Sequence, residues 1–189
     1  MKETETKFQL QDPGAMRQKL LSIGFKSKGR HLQVNRKFND KDDNFGPHKG
    51  RLLRIRVADK CTLTSKAGKS VEKNIKTLDE YETEISDPEK TEKILNMLGF
   101  HLDEVMEKYR EAFQKRDVEV VIDEVPFLGA WMEIEGDHES IERTAEELGL
   151  DMKDAISSSY GTLWRGYKEK HKIDIRDCTF GENHGQRLL

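Results

Sequence analysis

Arg51-Leu52-Leu53-Arg54-Ile55-Arg56-Val57 places leucine, isoleucine and valine at 53, 55 and 57, and arginine at 54 and 56. A period of two is the signature of a β-strand, because successive side chains leave the backbone on opposite faces. One face of this strand is apolar and the other carries two guanidinium groups. The same alternation opens the chain: in residues 2–9, Glu3, Glu5 and Lys7 face one way and Thr4, Thr6 and Phe8 the other. It returns at 31–38, at 61–66, in a stretch including Glu80, Glu82 and Glu84, and at 105–113, 118–125 and 130–135, which makes eight strands.

Helices punctuate the strands. Asp12-Pro13 and Asp87-Pro88 each read as a capping acid followed by proline in the first turn, with Gly24 and Gly99 as stops. Two more helices are expected over 140–148 and 159–170, and a loop over 39–50. A strand, a proline-started helix and then several strands occur twice, as two similar halves would. Residues 1–172 are expected to form one domain and 173–189 a loosely ordered tail.

Of the 189 residues, 34% are hydrophobic and 37% charged, and the net charge is −3. So few apolar residues, yet so regularly placed, suit a fold that encloses a polar face as well as exposing one. The acidic balance argues against a nucleic-acid partner. No run of 18 apolar residues is present, which argues against a membrane helix, and Met1-Lys2-Glu3-Thr4-Glu5 lacks the apolar stretch of a secretion signal. Cys61 and Cys178 stand alone, so neither a disulfide framework nor a zinc site is expected, and the cytoplasm is the expected compartment. The six histidines are scattered, none at ligand spacing. A homodimer is left open. Trp131 is expected in the wall of the fold, and Trp164 and Tyr167, at helical spacing, as packing residues.

The charges carry the chemistry. Acids stand at i and i+2 in Glu3 and Glu5, in Glu80, Glu82 and Glu84, and in Glu133 and Glu135, with Asp123 nearby in sequence; bases are Lys7, Arg54, Arg56, Lys66, Lys108 and Arg110. For any single strand a solvated charged face is the better reading. Across eight strands, with helices available to cover the apolar faces, the charges can line a closed eight-stranded antiparallel β-barrel with helices outside, an α+β fold. Enclosing so many charges is costly without ligands. Clustered carboxylates suit Mg2+ or Mn2+, and clustered lysine and arginine suit phosphate oxygens. Together they describe an enzyme cavity for a polyphosphate bridged by metal.

Glu3-Thr4-Glu5-Thr6-Lys7 resembles the ExExK signature of the CYTH family, the triphosphate tunnel metalloenzymes. Leu53-Arg54-Ile55-Arg56 resembles its RxR strand, Leu63-Thr64-Ser65-Lys66 its lysine strand, and Glu107-Lys108-Tyr109-Arg110 its ExKxR segment. Val120-Val121-Ile122-Asp123 with Leu128 to Gly136 resembles its closing strands, and Ser159-Tyr160 a serine–tyrosine pair near its end. The resemblance implies Glu3, Glu5, Asp123, Glu133 and Glu135 as ligands of Mg2+ or Mn2+, with Glu5, Asp123 and Glu133 catalytic. It implies Lys7, Arg54, Arg56, Lys66, Lys108 and Arg110 as phosphate ligands, and Glu82 and Glu84 as a central acidic pair. Arg36-Lys37-Phe38-Asn39-Asp40 departs from the family's aromatic-x-aspartate pattern. The implied activity is that of a class IV-like adenylyl cyclase converting ATP to cyclic AMP and pyrophosphate. Alternatives are a triphosphatase acting on tripolyphosphate, thiamine triphosphate or a nucleotide, and a non-catalytic triphosphate-binding module.

Overall fold

The computed structural model describes residues 2–45 and 49–181. Its elements are β1 (Lys2–Leu10), α1 (Pro13–Ser22), β2 (Lys26–Asp40), β3 (Leu52–Val57), β4 (Thr62–Glu72), β5 (Ile75–Glu84), α2 (Pro88–Met97), β6 (Phe100–Lys115), β7 (Val118–Val125), β8 (Gly129–Glu135), α3 (His138–Glu147) and α4 (Tyr160–His171). The strands close into an antiparallel barrel in the order β1-β5-β4-β3-β2-β6-β7-β8, with β8 returning to β1. The expected eight-stranded barrel is therefore the fold. The sequence β1–α1–β2 is echoed by β5–α2–β6, and the two long strands, β2 and β6, pair with each other.

Both proline-started helices form as read. The Asp12 carboxylate accepts the Ala15 N–H at 2.8 Å, and Asp87 accepts that of Lys90 at 2.8 Å. Such side chains satisfy N–H groups that a helix start leaves without partners. Asp137 caps α3 in the same way, so that helix starts two residues before the expected one.

Several strands run further than their alternation suggests. β2 begins at Lys26, β4 continues to Glu72 and β5 begins at Ile75. The cause is glycine within the ladder. Gly29 and Gly68 take positive φ (92° and 70°), beside register shifts between Ser27 and Arg30 and between Ala67 and Ser70. A bulge of this kind interrupts the period of two without ending the pairing.

The outward faces are apolar and are covered by helices. Ile122 and Ile134 lie fully or almost fully buried with Leu20 of α1 and Ile141 and Ala145 of α3. Leu53 and Ile55 pack with Phe38 against Leu95 of α2. Each such side chain contributes about 1.5–3 kcal/mol when buried.

α4 packs over the β7–β8 turn. Met106, Val125 and Trp131 meet Tyr160 and Trp164 of α4 in a separate apolar cluster. Trp164 is fully buried, stacks on Phe127 with ring centroids 5.0 Å apart, and donates to the Arg176 carbonyl at 3.2 Å. The segment after Ile173, expected to run loose, is docked instead as far as Phe180. Cys178 bridges to Met106 in parallel register and is buried, and Phe180 rests on Tyr109. Its single cysteine and phenylalanine gave no periodic signal, and main-chain bonds to β6 hold it. Both cysteines are free thiols, and the remainder of the tail, 182–189, lies outside the described residues, as does the Gly46-Pro47-His48 part of the expected loop. No helix among the described residues is long and apolar enough to cross a membrane.

Trp164→Ala should remove the centre of this cluster and cost about 3–5 kcal/mol of stability, measured by urea unfolding. A loss under about 1 kcal/mol would mean that α4 does not anchor the barrel.

Candidate active site

Cross-strand register decides which side chains meet inside. Glu5 stands opposite Glu135 and Lys7 opposite Glu133 on the β1–β8 pair. Arg54 faces Thr64 and Lys37, Lys66 faces Leu52 and Glu80, and Arg110 faces Asp123. Directly opposite residues share a face of a sheet, so these charges all turn toward the barrel interior. A cavity there is lined by Glu3, Glu5, Lys7, Arg54, Arg56, Lys66, Lys108, Arg110 and Glu133. Nine of the thirteen residues that the resemblance singles out thus share one space.

The remaining four are placed differently. Glu82 accepts the Thr64 hydroxyl at 2.6 Å and lies 3.7 Å from Arg54, at the rim of the basic side. Glu84 pairs with Lys60 in solvent, so the structure separates it from the site. Glu135 is half-buried on β8, next to the Glu3 and Glu5 side of the barrel. Asp123 points inward but is fully buried: Arg110, Lys108 and Tyr160 cover it.

Two lysines escaped the sequence reading. Lys76 pairs with Glu5, and Lys37 holds Glu104 at 2.5 Å; both line the cavity. Lys76 continues the Glu80, Glu82, Glu84 face by two more steps, but Leu78 breaks the run of charges. Lys37 sits in the segment that departs from the family pattern. Tyr160, read only as half of a serine–tyrosine pair, proves central: the ammonium groups of Lys7 and Lys108 lie 4.2 and 5.0 Å from its ring centroid.

The electrostatics split the cavity into two sides. On the acidic side Glu3 pairs with Lys66, and Glu133 with Lys7 and Arg110. At Glu135, burial, then the charges of Glu3 and Glu5, outweigh Lys66 and push its carboxyl up to about 7. Negative charge on this side therefore exceeds what the lysines balance. On the basic side, burial and the neighbouring Arg56 push the Arg54 guanidinium down to about 9. Burial and Arg110 push the Lys108 ammonium down to about 7. Among the described residues the buried Arg54 Nε has no hydrogen-bond partner, and Arg56 donates to the Asn35 amide oxygen at 3.4 Å. A buried donor without an acceptor is costly unless a ligand supplies one. Here an anion would.

The carboxylates Glu3, Glu5, Glu133 and Glu135 form an all-oxygen donor set, which suits a hard divalent cation. The raised carboxyl of Glu135 shows that added positive charge would be stabilised beside them. Among the described residues no three acids stand close enough to hold an ion as they are, because each lining carboxylate is turned to a lysine or arginine. The residues fit such an ion in chemistry, and binding it requires those lysine contacts to open.

Arg54→Met should test the basic side. It removes a buried charge held in the field of Arg56, so stability should rise by about 1 kcal/mol. Affinity for tripolyphosphate should fall at least about tenfold, equivalent to roughly 1.4 kcal/mol. Chemical unfolding and calorimetric titration measure the two. Unchanged affinity would make Arg54 a structural charge only.

Comparison with known proteins agrees with this architecture. The model of the CYTH domain family matches residues 1–160. A Methanocaldococcus jannaschii protein named "putative adenylate cyclase" is 31% identical over 172 residues, covering 89% of this chain and 98% of that protein. A Pyrococcus horikoshii protein of solved structure is 26% identical, with a TM-score of 0.73 over 85% of this chain and 98% of that one. A Hippeastrum protein, described as showing a dominant triphosphatase activity, superposes with a TM-score of 0.64 over 87% of this chain and 95% of that one. At 19% identity that last likeness concerns the fold alone.

Proposed function

The chain belongs to the CYTH domain family, and from that premise we propose that it is a metal-dependent enzyme acting on a triphosphate, converting ATP to cyclic AMP and pyrophosphate. One observation carries the reading. Within the cavity wall the Arg54 Nε is buried without a hydrogen-bond partner among the described residues and half-buried Arg56 meets the Asn35 amide oxygen at 3.4 Å, while Glu135, on the same barrel face as Glu5, has its carboxyl raised to about 7 by burial and by the charges of Glu3 and Glu5. A polyphosphate with a divalent cation satisfies both sides at once. The M. jannaschii relative's name supports cyclase chemistry over other triphosphate reactions.

In this reading Arg54, Arg56, Lys108 and Arg110 bind the phosphate oxygens, the arginines through paired N–H donors. Lys7, whose ammonium lies over the Tyr160 ring, meets the phosphate chain beside α4. Glu3, Glu5, Glu133 and Glu135 would hold Mg2+ or Mn2+, whose chemistry there is to draw charge from the phosphate oxygens. The protein's own contribution is alignment. The ribose 3′ oxygen attacks the α-phosphorus, the bond to the bridging oxygen breaks, and pyrophosphate departs with that electron pair while the hydroxyl proton passes to solvent. Fixed cations oppose the developing charge without having to reorganise.

The second reading is triphosphate hydrolysis, with water attacking the terminal phosphorus. It is favoured by the gathering of Lys7 and Lys108 over the Tyr160 ring. Cations there would surround the end of a phosphate chain rather than its middle.

A single incubation series separates the two. ATP, tripolyphosphate and thiamine triphosphate are each supplied with Mg2+ or Mn2+, and cyclic AMP, pyrophosphate and phosphate are resolved. Cyclic AMP with pyrophosphate from ATP, abolished by chelator, is the expected result. Phosphate release with no cyclic AMP would transfer the assignment to hydrolysis, and three intact substrates would defeat both. Glu133→Gln should lower turnover at least about tenfold, roughly 1.4 kcal/mol in the barrier, in a variant that still folds.

A further inference from the structure

We infer that Asp123 is a positioning residue for the phosphate-binding cations and not a ligand of the divalent ion. The inference rests on the proposed triphosphate reading and departs from the role that family resemblance implies for this aspartate.

An ionised carboxylate offers about four lone-pair sites. Asp123 accepts four hydrogen bonds, one at Oδ1 and three at Oδ2. Oδ1 accepts from Arg110 Nε at 2.7 Å. Oδ2 accepts from Lys108 Nζ at 2.9 Å, from Arg110 Nη2 at 2.6 Å and from the Tyr160 hydroxyl at 2.8 Å. The side chain has no exposed surface and forms no part of the cavity wall, whereas Glu3, Glu5 and Glu133 do. A small divalent cation of the Mg2+ kind gives up its waters reluctantly and keeps several of them when bound. At Asp123 it would have to shed them and also displace the arginine fork or the phenol. Either displacement leaves a buried cation or a buried hydroxyl without its partner, a large penalty.

What Asp123 does instead follows from the same contacts. The two bonds to Arg110 fix the plane of its guanidinium, because a bidentate pair allows one orientation. With Nε and Nη2 so engaged, Nη1 is the part of Arg110 left to meet a phosphate oxygen. The third bond holds the Lys108 ammonium, and the fourth holds the Tyr160 ring on which Lys108 and Lys7 sit. One carboxylate behind the wall therefore orients three groups that face the substrate. Cations held in place before binding lose less entropy on gripping an anion.

Diffraction from crystals of the unmodified protein soaked in Mn2+, recorded at the manganese edge, locates the ion without any variant. The expected peak lies among Glu3, Glu5, Glu133 and Glu135, with Asp123 beyond the ligating distance of about 2.1 Å. A peak coordinated by an Asp123 oxygen overturns the inference. In solution, Asp123→Asn should leave the Mn2+ dissociation constant, read by electron paramagnetic resonance, within about twofold of the unmodified value. Its metal-free affinity for tripolyphosphate should drop at least about tenfold, or roughly 1.4 kcal/mol. Tyr160→Phe, which removes one of the four bonds and keeps every charge, should shift tripolyphosphate affinity in the same direction by a smaller factor. A merely structural role would instead lower the unfolding midpoint and weaken both ligands together, and a loss confined to Mn2+ would restore Asp123 to the metal site. If the unmodified protein binds no tripolyphosphate, the functional reading fails and the positioning role with it. If no Mn2+ peak appears, the metal reading fails, and the metal-free affinities still decide the positioning role.

Discussion

Ionised side chains on the inner face of a closed barrel cannot keep their water, and the rest of the molecule is arranged around that constraint. A buried charge needs an opposite charge, a set of donors or acceptors, or a ligand. Asp123 has four hydrogen bonds, Glu133 has two cations, and Glu3 and Glu5 have one lysine or more each. The arginines of β3 have less: Arg54 donates to the Thr64 hydroxyl at 3.2 Å and lies 3.7 Å from Glu82, and Arg56 donates to the Asn35 amide oxygen at 3.4 Å. The free protein therefore holds an unbalanced charge distribution whose surplus on one side is basic and on the other acidic. In the proposed reading that imbalance costs stability in the free protein and would be recovered on binding a ligand of matching charge.

The apolar half of the design makes the charged half tolerable. The outward faces of β3, β7 and β8 bury isoleucine, leucine and valine beneath α1, α2 and α3, and this supplies the favourable energy. A barrel has no sheet edge, so no strand is left to pair with another chain. The packing of α4 adds something different. Trp164 packs, fully buried, against Phe127 at the β7–β8 turn while Tyr160, at the first turn of the same helix, reaches back to Asp123. The helix that packs over the β7–β8 turn also holds Asp123, so stability and site are coupled through a single element.

The two functional readings differ in where along the phosphate chain attack occurs, and the site residues are common to both. Charge neutralisation and alignment serve cyclisation and hydrolysis alike. What separates them is the nucleophile's own position, set by the part of the ligand outside the basic cluster. Family membership fixes the architecture and the kind of ligand more firmly than the bond that is broken.

By itself, the sequence determined the strand count, the barrel and the grouping of most of the site. Alternation is local: Arg54 and Arg56 must leave β3 on the face opposite Leu53 and Ile55, whatever the remainder of the chain does. Asp12-Pro13 and Asp87-Pro88 set their helices through local capping bonds. Only the tertiary structure decided who meets whom. Period-two reading put Glu82 and Glu84 on one face but could not tell that Glu84 ends in solvent beside Lys60, because position along the barrel axis depends on strand tilt and register. It missed Lys76, placed opposite Glu5 by the β1–β5 pairing, and the docking of Cys178 along β6, which rests on backbone bonds between distant segments. Asp123 is the sharpest case: the sequence correctly turned it inward, yet its burial behind Arg110, Lys108 and Tyr160 arises from contacts made by three separate elements. Direction is a property of a few neighbouring residues, whereas depth and partnership belong to the closed barrel.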